Sequence, residues 1–564
     1  MRAVWPAWLA RLGPSLVIVG AALILWAPTL TIDAGDSLDL NLIWLNQFSG
    51  LVAHGHLYPR WLPGSFGGLG SPSFEFYPPL AFWVTALVSA AGDGSISPLL
   101  QLKLAALIAL IGSGVSMRLW LNQLCPPPRA LICALIYMAA PYHLVDYYAR
   151  GAFAEFFAIS LIPLVALGLL ETARGRRRGP AILAAGYGLL VFSHLPVALL
   201  TSVMLVAPYG LFLLWKSRGG RLRFALAGGA ALVCGAGLAA CYLIPALTLQ
   251  GQISAEYLWS LLPDRHVFTS PIAWADPFQP LLAATAGLEA GFAVLLGWRV
   301  WQAGDRRPLY WAALTLGVFI VLSGFIPGFW SIPLMTKVQF PWRAISIEEF
   351  TLVTLAALSP WPTQKGLAVL LGVLAVADPG MTFDLKNLVL GRPNAQRYEA
   401  GHVEALLRTS TDAAEYLPHG MLRIEGIQPV PMIPLATLAA LPLATSSLSA
   451  ASDDPMTGAI TLAPAPGARR IVLRRFYFTG WRVTCDGATA TASATGPARL
   501  VGFVPPPGAK LCEARVGQTP QERLGGALTL TSAAALFAYL LWALIPVLGR
   551  RRPQPDPARL AQAR

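Results

Sequence analysis

Runs of apolar residues too long for a soluble core constrain this chain more than any other feature. A helix that crosses the roughly 30 Å hydrocarbon layer needs about 20 predominantly apolar residues. Such runs recur at 7–30, 99–120, 130–140, 153–170, 181–192, 196–215, 224–243, 281–298, 309–325, 344–358, 366–377 and 526–548, which gives about twelve expected spans. The shorter ones are expected to border thinned lipid or a protein-lined water cavity. Charged residues make up only 12% of the 564, about half the share usual in soluble proteins. The chain is therefore read as an α-helical polytopic membrane protein, and a cytosolic enzyme is excluded.

The 41 Lys and Arg against 28 Asp and Glu leave a net charge of +13, which in a soluble protein would point to nucleic acid. In a polytopic chain the same charges report orientation, because cytoplasmic loops collect Lys and Arg. The basic clusters are Arg2 and Arg11, Arg174 with Arg176–Arg178, Lys216 with Arg218, Arg221 and Arg223, Arg299 with Arg306 and Arg307, and the tail Arg550–Arg564. Placing them all inside puts both termini in the cytoplasm, and no nucleic-acid partner is implied. No small-residue cleavage site follows the first run, so it reads as an anchor. The segment 78–91 is apolar enough to span, yet counting it would invert everything after it. It is read as a helix lying in the outer interface, where irregular backbone requires protein or water beside it.

Two regions are expected outside the membrane. The first loop, 31–98, is too long for a simple connection. The block 380–524 has ordinary soluble composition, and its β-branched and aromatic runs at 471–478, 481–485, 500–504 and 511–516, punctuated by Gly480, Asp486-Gly487 and Pro505–Gly508, predict a small β-sandwich. The expected organisation is a membrane domain at 1–379, an extracytoplasmic domain at 380–524, and a final span with a basic tail at 525–564. Cys485 and Cys512 fall on adjacent predicted strands in an oxidising compartment, which suits a disulfide. Cys125, Cys133, Cys234 and Cys241 match no metal-ligand spacing and read as small buried hydrophobes.

Ionisable groups gather at the outer boundary. The first loop carries Asp33, Asp36 and Asp39, then His54, His56, Arg60 and Glu75. The second outer loop brings Asp146, Arg150 and Glu155, His194 ends a span, and Lys337 and Arg343 stand between two spans at the same level. Each has an ordinary reading: a solvated loop carboxylate, an ion pair between spans, a helix-end histidine or a snorkelling anchor. Likewise Tyr58, Trp61, Phe74, Phe76 and Tyr77 can be an aromatic interface belt. Taken together, carboxylates beside Arg and His suit transfer chemistry on a lipid phosphate. Arg binds a phosphate leaving group bidentately, and a carboxylate can take the proton of an acceptor hydroxyl.

Gly55-His-Leu-Tyr-Pro-Arg-Trp-Leu-Pro and Gly67-Gly-Leu-Gly-Ser-Pro-Ser-Phe-Glu-Phe-Tyr-Pro-Pro-Leu, with Pro141-Tyr-His-Leu-Val-Asp-Tyr-Tyr-Ala-Arg-Gly, Gln339-Phe-Pro-Trp-Arg and Glu415-Tyr-Leu-Pro, resemble blocks of the bacterial membrane family labelled "6-pyruvoyl-tetrahydropterin synthase-related". That label implies no pterin chemistry, since nothing in the chain resembles the zinc-binding histidines of the soluble enzyme. The layout is also similar to the GT-C glycosyltransferases, with Pro78-Pro-Leu-Ala-Phe-Trp as the interface helix. The block Phe476-Tyr-Phe-Thr-Gly-Trp-Arg-Val-Thr-Cys-Asp-Gly resembles the C-terminal β-domain of membrane proteins thought to glycosylate teichoic acids.

These resemblances imply an inverting glycosyltransferase of the bacterial cytoplasmic membrane with its active site facing the periplasm. The sugar would come from a polyprenyl-phosphate donor and pass to an envelope glycan or lipid acceptor. Asp36 matches the first-loop catalytic carboxylate best, with Asp33 second. Glu75 matches the acidic residue before Pro-Pro-Leu, and Asp146 or Glu155 the second acidic position. Arg150, Lys337 and Arg343 would hold the donor phosphate, with His194, Arg60, His56 and Tyr77 around it. Some superfamily members use a divalent cation, Mg2+ or Mn2+, and others basic side chains. The three cations here favour the second kind, and no metal ligands are assigned. The chain lacks an Asp-x-Asp pair in the second loop and a Trp-Trp-Asp motif in the outer domain, against an oligosaccharyltransferase acting on Asn. Two other classes fit the layout: a lipid or polysaccharide flippase, against which stands the lack of an internal repeat, and a non-catalytic scaffold for envelope assembly.

Overall fold

The computed structural model describes residues 7–30, 37–217, 219–275, 279–375, 400–409, 412–425, 428–445 and 448–549. Among them, eight helices are long and apolar enough to cross a membrane: Leu12–Leu30, Pro98–Leu121, Pro127–Arg150, Phe153–Ala173, Leu195–Lys216, Arg221–Leu238, Gln279–Gln302 and Pro520–Ala543. Leu80–Ala91, Leu309–Leu322 and Gln364–Ala375 are apolar but shorter, as are the buried helices Arg178–Ser193 and Ile345–Leu358. The expected twelve runs thus appear as helices of unequal length. At 12 residues, or about 18 Å, Leu80–Ala91 is too short to cross lipid. It follows Pro78-Pro79, which ends the preceding turn because proline cannot continue a ladder.

Small residues set the closest helix crossings. A Cβ on Gly168 would lie 2.5 Å from the Leu183 backbone, and one on Gly235 would lie 2.7 Å from the Ala184 carbonyl. The helix Arg178–Ser193 is therefore pressed between Ile162–Ala173 and Arg221–Leu238, as small residues permit in membranes. The final helix, Pro520–Gly549, crosses the break at Ala239. Thr529 Oγ1 donates to Leu238 O at 3.0 Å and accepts from Cys241 N at 2.9 Å, satisfying backbone groups that the break releases.

Among the described residues eleven strands precede the final helix: β1 (Leu422–Glu425), β2 (Gln428–Pro431), β3 (Ala444–Thr445), β4 (Leu448–Asp453), β5 (Ile460–Pro464), β6 (Ile471–Phe476), β7 (Trp481–Cys485), β8 (Ala488–Ala490), β9 (Ser493–Thr495), β10 (Leu500–Phe503) and β11 (Cys512–Val516). A four-stranded sheet in the order β3-β6-β10-β9 faces a five-stranded sheet in the order β4-β5-β11-β7-β8, and β1 pairs β2 alone. Alternate residues of β7 and β11 are buried, the period-2 pattern of a strand with one face on a core. Cys485 and Cys512 stand opposite each other in the antiparallel register of β7 and β11 and form a disulfide. The expected strands are present, within two residues at their ends, and form part of the sandwich core.

The β-sandwich is anchored on the first loop. Phe476 N donates to Leu69 O at 2.8 Å, and the buried Arg475 donates to Gly68 O at 2.6 Å while pairing with Asp453. The ring of Trp61 packs edge-on to Trp481 at 5.7 Å. Gly70, at φ +81°, passes so close to Trp61 that a Cβ would lie 2.2 Å from the ring. Only glycine meets both demands.

Candidate functional site

The site begins in the corner between two buried helices. Pro141 opens the short helix Pro141–Val145, Asp146–Arg150 winds as a π-helical turn, and Gly151 closes it in the left-handed region at φ 60°. Such single π turns concentrate at functional sites. The wider turn brings Arg150 Nη1 back to Asp146 Oδ1 at 2.5 Å, to the Tyr142 hydroxyl at 3.0 Å and to Glu155 Oε2 at 3.0 Å. Tyr142 donates to the other oxygen of Glu155 at 2.6 Å.

Arg343 meets this corner from the turn Pro341–Ala344. Its Nε lies 3.1 Å from Glu155 Oε2, so two guanidinium groups converge on one carboxylate oxygen. Its Nη1 donates to Val338 O at 2.6 Å and to Gln339 Oε1 at 3.3 Å. Gln339 has φ 66° and ψ −58°, and Phe340 N donates to Val338 O at 2.8 Å. That combination is a positive-φ γ-turn, a rare conformation costing about 1–3 kcal/mol for a non-glycine residue. The strain is held in place by the Arg343 contacts and aims that side chain inward.

Arg150, Arg343, Asp146 and Glu155 are all buried or nearly so: Asp146 is 0% and Glu155 1% exposed. The pair of cations and pair of carboxylates balance, but the hydrogen bonding does not. Asp146 Oδ2 is buried without a partner among the described residues. The bonds of Arg150 use Nη1 alone, and those of Arg343 use Nε and Nη1. Each guanidinium thus keeps an Nη2 without a partner among the described residues. His194 caps the helix Leu195–Thr201 by accepting from Val197 N at 3.3 Å, and the charges of Glu155, Arg343 and Arg150 act on its ring. Lys337 stands over the Trp259 ring at 3.8 Å.

Asp33 and Asp36 lie outside the described residues. The chain directly after them is bound to the same corner. Ser37 N donates to Arg150 O at 3.1 Å and Asn41 Nδ2 to Gly151 O at 2.9 Å.

Glu75 and Arg60 are placed elsewhere. Arg60 lies over the Tyr58 ring at 3.8 Å, donates to Cys241 O at 2.7 Å, and pairs with Glu75 at 3.3 Å and Glu522 at 3.5 Å. Burial holds the Glu75 carboxyl well above the usual range despite Arg60. Glu522 is the fourth residue of Thr519-Pro-Gln-Glu and bonds Thr519 N and Oγ1 at 3.2 and 3.1 Å, while Thr519 Oγ1 accepts from Glu522 N at 3.2 Å. This is a capping box at the start of the final helix. A pocket of about 750 Å3 opens between this cluster and the β-sandwich, lined among others by His56, Tyr58, Arg60, Glu75, Arg515 and Glu522. It is not lined by Arg150 or Arg343, so the structure separates Arg60, His56 and Glu75 from the cations expected beside them.

Tyr77 joins the regions. Its ring lies 4.5 Å from Trp44; the phenol, pushed up by burial, feels Arg343, Glu155, Asp146 and Glu415. Sequence reasoning missed four groups of this neighbourhood. Asp412 accepts from Trp44 Nε1 at 2.8 Å and Ser73 Oγ at 2.7 Å. Glu415, three residues later, is half-buried. Glu349 Oε1 accepts from Tyr142 N at 2.6 Å, and Glu522 holds Arg60. Glu522 had a signal in the capping box, and Glu415 stood in the block Glu415-Tyr-Leu-Pro without a role assigned to it. Among the described residues no three His, Cys, Asp or Glu side chains are grouped to hold a metal ion.

Comparison with known proteins adds a family and a distant structural likeness. The model of a family described as "6-pyruvoyl-tetrahydropterin synthase related domain; membrane protein" matches residues 74–385. Among solved structures, the chain is similar to the arabinofuranosyltransferase AftD from Mycobacteria at 15% identity, covering 69% of this chain and 27% of that one with a TM-score of 0.40. A mutant of AftD matches at 16% identity, covering 67% and 28%, with the same TM-score. The chain therefore spans about a quarter of the length of these structures. No curated protein matches the chain.

Proposed function

The chain belongs to the 6-pyruvoyl-tetrahydropterin synthase related family of membrane proteins, and from that premise we propose that it is an inverting glycosyltransferase drawing its sugar from a polyprenyl-phosphate donor. The observation that carries this reading is the convergence of Arg150 and Arg343 on Glu155 Oε2 at 3.0 and 3.1 Å. Each guanidinium keeps donors for a further anion, and paired Arg side chains recognise phosphate oxygens by geometry as well as charge. As the bond from sugar to phosphate breaks, negative charge grows on the leaving phosphate, where fixed cations in a water-poor corner stabilise it most. Glu155 keeps the two cations together when no phosphate is bound, and Tyr142 keeps Glu155 in place. Lys337, 3.8 Å above Trp259, stands near as a third cation.

Direct attack by the acceptor hydroxyl from the face opposite the phosphate inverts the anomeric centre and needs one proton acceptor. The first-loop position expected for it is Asp36, with Asp33 second. The acceptor would be an envelope glycan or lipid. The Cys485–Cys512 disulfide supports an oxidising compartment for the β-sandwich. The arginines at 174, 176 and 178 pair with Glu171, about 24 Å along the helical run from Glu155, which supports a cytoplasmic location for that end.

The test is labelling of envelope glycan from a radiolabelled polyprenyl-phosphate sugar in membranes of a deletion strain. Labelling is expected to be lost on deletion, restored by the full chain, and not restored by Arg343→Lys. Full labelling in the deletion strain contradicts the reading.

A further inference from the structure

A strap of chain preceding the β-sandwich, residues 412–419, is pinned at both ends. At its start, Asp412 takes hydrogen bonds from Trp44, Ser73 and its neighbour Ala413 N, the last at 2.7 Å. At its end, Leu417 O accepts from Ser254 N at 2.8 Å, Pro418 O from Ser254 Oγ at 3.0 Å, and Gln252 O from His419 N at 3.0 Å. Between these anchors the turn Ala414–Tyr416 stacks Tyr416 on Phe76 at 6.2 Å. The carboxyl of Glu415, held in the same turn, has no side-chain partner among the described residues. The residue as a whole is half-buried, with its carboxyl in a poorly solvated place.

Two independent routes connect Glu415 to the arginine pair. The first runs through Tyr77, whose phenol feels Glu415 from one side and Arg343, Glu155 and Asp146 from the other. The second runs through the short helix Glu256–Ser260. Tyr257 feels the charge of Glu415, and Glu256 lies 3.5 Å from His419. One turn on, Leu258 O accepts from Gln339 Nε2 at 3.4 Å and Trp259 carries Lys337. Gln339 in turn accepts from Arg343. Through these contacts the strap and the arginine pair share the neighbours Tyr77 and the segment 256–259.

We propose that Glu415, in place of the first-loop carboxylate expected from the resemblance, accepts the proton of the attacking hydroxyl, with the reacting sugar held between Glu415 and the Arg150–Arg343 pair. This rests on the glycosyl-transfer reading above. The acceptor oxygen forms its bond to the anomeric carbon while that carbon's bond to the phosphate oxygen breaks. The electron pair leaves with the phosphate between the arginines, and the hydroxyl proton passes to the Glu415 carboxylate. Burial, with a smaller push from Asp412, raises this carboxyl to about 7. A base poised there combines the ionised form with real proton affinity near neutral pH. The groups that act on it are Asp412 and Tyr416 on the strap, Tyr77 from the first loop and Tyr257 from the short helix, where Glu256 pairs with His419 of the strap.

The experiment compares full-length wild type, Glu415→Gln, Glu415→Asp and Asp36→Asn in membranes, following transfer from radiolabelled polyprenyl-phosphate sugar between about pH 5 and 9. Wild-type transfer is expected to rise with pH through about 7, because the base works only when ionised. Glu415→Gln is expected to fall roughly hundredfold or more and to lose that acid limb, at unchanged protein level and thermal unfolding midpoint. Glu415→Asp, which keeps a carboxylate, is expected to recover part of the rate and shift the limb. A Glu415→Gln protein with wild-type rate and limb overturns the proposal while leaving the transfer reading intact. So does an Asp36→Asn protein that alone loses the limb. Absence of transfer by wild type overturns the transfer reading itself and the proposal with it.

Discussion

Two buried glutamates stand at opposite ends of the helical run Phe153–Ala173, each gathered by arginines, and they differ in what is left over. Glu171 is 0% exposed and its oxygens are taken by Arg176 at 2.7 Å and Arg178 at 2.6 Å, with Arg174 at 3.6 Å. Those three side chains are between 36% and 58% exposed, and Gln123 Oε1 bridges two of them at 3.0 Å. The charges there end in water, and no oxygen of Glu171 is left buried without a partner. Glu155 is gathered by arginines only 15% and 10% exposed. Beside it Asp146 keeps an oxygen without a described partner, and a strained γ-turn at Gln339 holds Arg343 in place. Buried polar groups are normally satisfied. Under the proposed function, a cluster with donors and an acceptor left without partners among the described residues, beside local strain, suits a bound anion, whereas a saturated cluster with exposed arginines suits an anchor at the membrane edge.

The contrast can be broken by substitution. The largest effect is expected for Glu155→Gln, which leaves two arginines facing each other in a buried corner: a loss of about 3–5 kcal/mol of stability, read by thermal unfolding in detergent. Glu171→Gln should cost only about 1 kcal/mol, because its arginines rehydrate. Equal losses at the two positions would erase the distinction. Next comes Arg343→Lys, which keeps the charge but loses the planar fork. Transfer should fall about hundredfold at unchanged expression, and a wild-type rate would remove Arg343 from phosphate binding. Smaller is Thr519→Ala, which breaks the capping box under Arg60 and should cost about 1 kcal/mol. A larger fall in transfer than in stability would draw the Arg60 pocket into the chemistry. The smallest is Arg176→Ala, within about 0.5 kcal/mol and without effect on transfer.

The sequence pattern foretold a good part of this. Asp146, Arg150, Glu155 and Arg343 were each visible as costly charges at a span end, and the structure brings them together because Pro141 and Pro341 open turns that face one another. The Cys485–Cys512 pair was legible from two adjacent predicted strands in a region expected to be oxidising, and the disulfide is present. What stayed hidden depends on distance along the chain. Trp44 meets Asp412, and Arg60 meets Glu522, across hundreds of residues, and neither contact has a local signal. Arg60 looked like a phosphate ligand because it is basic and near the membrane, yet two glutamates and a carbonyl occupy it. The strands β1–β5, β8 and β9 were missed because they are short and rich in small residues or proline, with little alternation to read.

The most direct test is a structure of the full-length protein in a lipid nanodisc with polyprenyl phosphate. The phosphate is expected between Arg150 and Arg343, within hydrogen-bond distance of their Nη2 groups. A phosphate seated instead on Arg60, or on the arginines around Glu171, would contradict the assignment of the site.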